Sequence, residues 1–130
     1  MNHLENTKIA RGYWLTVPDK NVAKGLALYR ESSDTGKHTC KTIACFGGWV
    51  SAMPEFIAMG VRQNYWGDPE IKNGSRRPFV GREVSDLLFG HGVLFHERGG
   101  CNYDRAMKRT ATDHAIVLNR LDMHIAALSK

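Results

Sequence analysis

Two cysteines five residues apart, Cys40 and Cys45, with His38 just ahead of them, are the side chains of this sequence best suited to do chemistry. A cysteine near the start of a helix has its thiolate favoured by the helix dipole, and a histidine brought from Phe89-Gly90-His91-Gly92-Val93 could act as its base. That pairing, Cys40 with His91, would make a cysteine-dependent hydrolase. The same residues raise zinc, with His91, His96 or Cys101 as further ligands. On a helix, however, Cys40 and Cys45 at i, i+5 point ~140° apart, and only a Cys40 in a loop ahead of the helix would converge with its neighbour. His91-x4-His96-x4-Cys101 is loosely spaced and rich in glycine, so the expectation is no cofactor and buried, reduced thiols.

A second constellation lies between residues 61 and 78, where Tyr65 and Trp66 accompany Arg62, Lys72, Arg76 and Arg77. Tyrosine, tryptophan and arginine dominate interface energetics, which makes Tyr65, Trp66, Lys72, Arg76 and Arg77 the expected binding surface for a protein partner. With Arg82, Arg105, Lys108 and Arg109 the same cations could hold phosphates, an aromatic ring stacking on a base, so nucleic acid is the alternative partner. The charges fall mainly on loops, and the closing helix carries only Arg120 before Lys130, unlike a helix-turn-helix reader. No glycine-rich phosphate loop, Ser-His-Asp order or paired-carboxylate signature stands out, so a non-enzymatic protein is expected.

The elements that would position these groups read as mainly α. In residues 40–53, Ile43, Phe46, Trp49, Val50 and Met53 recur at helical spacing while Ala44, Gly48 and Ala52 leave a bare stripe, which predicts a central buried helix. Pro54 stops it at Met53, and one further turn closes at Gly60. Residues 1–16 read as a partly ordered arm. A first helix is expected over about 19–31, a third near 80–89 ending at Gly90, and a last one over about 113–129. That last helix is expected to bury Leu118, Leu121, Ile125 and Leu128 and to turn Asp113, Arg120 and His124 to solvent. The turn signals Asn73-Gly74 and Gly67-Asp68-Pro69 make 61–78 a long surface loop with room for a short hairpin. The predicted fold is a compact bundle of about four helices around residues 40–53, in a single domain spanning 1–130.

Composition bounds the partners. The chain has 130 residues, 42% of them hydrophobic and 24% charged, with three cysteines and a net charge of +5. These values fit one ordinary domain and permit an acidic partner. The start of the chain has no signal-peptide pattern, no apolar run reaches the roughly 18 residues of a membrane span, and the odd cysteine count suits reduced thiols, so a cytoplasmic location without membrane partners is expected.

The spacing Cys40-x-Thr42-x-Ala44-Cys45-x-x-Gly48-Trp49, followed by Leu87-Leu88-Phe89, Leu94-Phe95 and a closing amphipathic helix, resembles a scattered group of small bacterial and phage proteins without an assigned activity. Phe46-Gly47-Gly48-Trp49 looks most like the phage-borne members, whereas Lys41 stands where they often carry glycine. The resemblance implies a small accessory protein carried by a phage or mobile element, in the host cytoplasm, and it transfers no catalytic residue.

Overall fold

The computed structural model describes residues 2–19, 22, 46–64, 68–96 and 99–130. In order they form α1 (His3–Trp14), α2 (Phe46–Val50), α3 (Pro54–Ala58), β1 (Val61–Gln63), β2 (Pro69–Asn73), β3 (Arg76–Val80), α4 (Arg82–Phe89), a 3-10 helix (Asn102–Ala106) and α5 (Asp113–Leu128). The three strands pair as an antiparallel sheet in the order β1-β2-β3. The fold is therefore mixed α/β, which corrects the expected mainly α bundle of about four helices. Each strand is short, and Val61, Pro69 and Ile71 are the only buried residues of the sheet, so the alternation that marks a strand spans too few residues to stand out. Asn73 pairs with Arg76 across a two-residue turn, in which Gly74 takes a φ of +60°.

The N-terminal arm is a helix, which is a second correction. Asn2 caps it by accepting from the Glu5 amide at 2.9 Å. Its buried face is Asn6, Thr7, Ala10 and Trp14, at helical spacing but mostly polar or small. Each polar member is bonded: Asn6 Nδ2 donates to the Leu88 carbonyl at 2.9 Å and Thr7 Oγ1 to the His3 carbonyl at 2.7 Å. Burial of bonded polar groups is tolerated, and it hides a helix from a reading based on apolar periodicity. α1 packs on α4 and α5.

All five residues of α2 are buried, so this part of the expected central helix does sit in the core; the residues ahead of Phe46 on which the remainder of that expectation rests, like most of the helix expected over 19–31, lie outside the described residues. Phe46 is the hub of an aromatic cluster. Its ring meets Trp14 edge-on at 5.3 Å and Phe95 at 5.5 Å, and it stacks with Phe89 at 6.2 Å. Phe56 closes the cluster edge-on against Phe89 at 5.7 Å. The helix ends at Val50, short of Met53, because Met53 is already extended (φ −77°, ψ 128°) ahead of Pro54, which then starts α3.

α4 runs as its periodicity predicts, burying Val84 and Leu88, and it ends at Gly90 in the left-handed region (φ +74°). A Cβ at that position would lie 2.6 Å from His3 Nδ1, so both the turn and the neighbouring helix require glycine. Leu94 and Phe95 fold back into the core. α5 is present over the expected span, with Thr112 Oγ1 accepting from the Ala115 amide. Its buried face is nevertheless Ile116, Val117, Arg120, Leu121 and His124, and the expectation that Arg120 and His124 face solvent is overturned: they are 1% and 4% exposed. Among the described residues, no helix is long and apolar enough to cross a membrane.

Candidate functional site

The expected binding residues fall on two kinds of ground. Tyr65 and Trp66 lie outside the described residues. Lys72, Arg76 and Arg77 stand exposed around the β2-β3 turn. Their neighbours sort them by charge. Arg77 makes a two-pronged contact with Glu83 at the start of α4, Nη1 to Oε1 and Nη2 to Oε2, each at 2.9 Å. That contact pushes the Arg77 guanidinium up and holds the Glu83 carboxyl below the usual range. On the other side of the sheet, Arg62 pairs with Glu70 directly opposite it, at 2.8 Å. Lys72 and Arg76 have no carboxylate partner among the described residues.

The outer edge of β3 is closed to a further strand. The Val80 amide donates to Glu83 Oε1 at 3.3 Å, Pro78 has no amide to offer, and its carbonyl accepts from Arg77 Nη1 at 3.4 Å. What the hairpin presents is side chains, not backbone.

The second place where polar groups converge is one the sequence reading did not assemble. Arg120, on the buried face of α5, grips Asp104 of the 3-10 helix through Nε and Nη2 at 2.7 and 2.6 Å, and its Nη1 donates to the carbonyls of Leu94 and His96 at 3.0 and 2.8 Å. Burial alone would push the Asp104 carboxyl up, but the Arg120 fork and the amides of Gly99 and Cys101 hold it below the usual range. One helical turn on, His124 Nε2 donates to the Phe89 carbonyl at 2.6 Å, which leaves Nδ1 to accept from the Tyr103 hydroxyl at 3.0 Å. Its ring meets His91 edge-on at 5.3 Å, and His91 leans over Tyr103 at 5.0 Å.

His91 is fully engaged. Its Nδ1 accepts from the Val93 amide at 3.3 Å, so Nε2 carries the proton and faces Asn102 Oδ1 at 3.3 Å. Burial and the neighbouring His124 push its pKa down. The hydrolase reading paired His91 with Cys40, which lies outside the described residues, as do His38 and Cys45. Cys101, the cysteine that is described, is 2% exposed, and burial pushes its thiol up, away from a nucleophilic thiolate. A surface cavity of 330 Å³ lies beside it, lined by Gly99, Gly100, Asn102, Asp104 and Arg105. His91, His96 and Cys101 do not converge, and among the described residues no three His, Cys, Asp or Glu side chains are grouped to hold a metal.

The network around Arg120 is thus a saturated clamp: each carboxylate oxygen and each described ring nitrogen of His91 and His124 already has a partner. A signal for it was present, since Arg120 and His124 repeat at i, i+4 in line with Val117 and Leu121 on neighbouring stripes, but polar residues on a buried face carry no weight in a count of apolar positions.

No family model, no curated protein and no solved structure matches this chain.

Proposed function

We propose that the protein acts by binding another protein through the β2-β3 hairpin, with Lys72 and Arg76 meeting an acidic patch on the partner. The observation that carries this reading is the division of the sheet's cations. Arg62 and Arg77 are each neutralised by a glutamate, while Lys72 and Arg76 stand exposed with no carboxylate partner among the described residues. Exposed cations on a hairpin anchored to α4 steer an acidic partner and fix its register. The closed edge of β3 supports side-chain contact over strand addition. The resemblance to phage-borne proteins favours a non-enzymatic accessory protein of a phage or mobile element, acting in the host cytoplasm.

The test is affinity capture from host lysate with the native protein and with the double variant Lys72→Glu/Arg76→Glu, read by quantitative mass spectrometry. The expected result is one or more proteins retained by the native chain and lost from the variant, with unchanged thermal unfolding. Equal capture by both sinks the hairpin as the contact. If instead the native protein shifts defined DNA or RNA with an affinity that falls steeply with salt, the partner is nucleic acid.

A further inference from the structure

Beside the buried face of α1, Lys8 and Gly12 stand one turn apart, with Ile9 and Tyr13 next to them, and Thr16 continues the row past the end of the helix. Together with Glu55 of α3 these residues line a surface cavity of 330 Å³. A second cavity, of 230 Å³, shares Tyr13 and Thr16 with the first and reaches Val17, Trp49 and Met53. The first is edged by charge, and the second is walled by apolar side chains.

We propose that this groove binds a free α-amino acid with a large apolar side chain: its ammonium on Glu55, its carboxylate on Lys8 and its side chain against Trp49 and Met53. The charges come first. The Tyr13 hydroxyl donates to Glu55 Oε1 at 2.8 Å, which fixes the carboxylate beside the groove and leaves Oε2 for a second donor. The same bond pushes the Tyr13 pKa up, so the hydroxyl remains a donor. Lys8 is exposed, and neither it nor Glu55 has a partner of opposite charge among the described residues. A ligand with both charges answers both. A simple amine would bring a like charge up to Lys8, and a simple acid would do so at Glu55. The Lys8 ammonium rides on a flexible four-carbon stem and can follow the ligand's carboxylate.

Gly12 supplies an independent observation. It lies inside α1, where glycine weakens a helix, yet it is not among the glycines with positive φ, and a Cβ built on it would meet no heavy atom within 4 Å. Neither backbone conformation nor packing within the fold requires the missing side chain. An open groove does, because bare backbone at this point lets a ligand lie close to the helix between Lys8 and Glu55. The size agrees: sites for small ligands span about 300–1,000 Å³, and this groove falls at the small end of that range.

Three isosteric probes test this on the full chain: L-phenylalanine, phenethylamine, which lacks the carboxylate, and 3-phenylpropionate, which lacks the ammonium. NMR titration should move the Trp49 indole and Gly12 amide signals with L-phenylalanine, and each analogue should bind about tenfold more weakly or worse. Glu55→Gln should weaken L-phenylalanine and phenethylamine while sparing 3-phenylpropionate, and Lys8→Gln should do the reverse. Gly12→Leu, which fills the groove without touching the core, should remove binding and leave thermal unfolding unchanged or raised. The proposal is overturned if millimolar L-phenylalanine moves neither signal, if the three probes bind alike, or if Gly12→Leu still binds. Should a variant not fold, the three probes on the native chain decide alone.

Discussion

Two arginines in this protein each grip a carboxylate with both prongs of the guanidinium, and they have opposite consequences. In the hairpin, the side chains of Arg77 and Glu83 are 72% and 40% exposed. In the core, those of Arg120 and Asp104 are 1% and 7% exposed. Water and salt screen the first pair, so it does little for stability and serves to arrange the surface: it removes one positive charge and closes the edge of β3. The second pair is desolvated. Its removal as a unit would be tolerated far better than the loss of one member, because a lone charge would be left buried. The same contact is a surface filter in one place and a structural clamp in the other.

The largest test of that contrast is Arg120→Ala. It strands the Asp104 carboxylate and should lower the unfolding free energy by about 3–5 kcal/mol in urea denaturation. The double variant Arg120→Met/Asp104→Leu should recover much of the loss, and failure to do so would show that the Leu94 and His96 carbonyls, not the ion pair, are what Arg120 serves. The pair also shapes the acid limb. Because the folded Asp104 carboxyl lies below the usual range, its stabilisation is complete above about pH 3.9 and is lost as pH falls through the lower folded value. The double variant should flatten that part of the stability profile.

A smaller loss is expected from Asn6→Ala, which leaves the buried Leu88 carbonyl without its donor and should cost about 1–3 kcal/mol by the same measurement. At the bottom of the scale stands Arg77→Gln. It should leave thermal unfolding unchanged within error while exposing Glu83, and partner capture should weaken because a negative charge now sits beside Lys72 and Arg76. A clear drop in melting temperature would mean that the hairpin pair is structural after all.

The elements that were legible are those whose local chemistry agrees with their place in the fold. α4 and α5 follow from apolar periodicity with Gly90 and Thr112 at their ends, and the break before α3 follows from Pro54. α1 was hidden because its buried face holds Asn6 and Thr7, whose side chains bond to carbonyls, and the small Ala10, with Trp14 as its one large apolar member. The Asn73-Gly74 turn left room for a hairpin, but the three-stranded sheet was hidden because its strands are three to five residues long and its buried alternation rests on Val61, Pro69 and Ile71. The polar clamp was hidden by long range: Asp104, Leu94, His96 and Phe89 meet Arg120 and His124 from 16 to 35 positions away. Lys72, Arg76 and Arg77 were legible as exposed cations, but the pairing of Arg77, and of neither other cation among the described residues, depends on Glu83, which only the packing of β3 against α4 brings within reach.

Trp14 and His114 exchange hydrogen bonds across 100 positions of chain, the indole donating to the His114 carbonyl at 3.0 Å and the imidazole to the Trp14 carbonyl at 2.8 Å, with the rings stacked at 5.1 Å. On the ribosome this tie can form only after His114 has emerged, 100 positions behind Trp14. Until then α1 has no α5 to cover Trp14, and the nascent chain must shelter α1 while it waits for α5. A chain stopped before residue 113 should accordingly be recognised by chaperones and proteases, not released as a smaller folded protein.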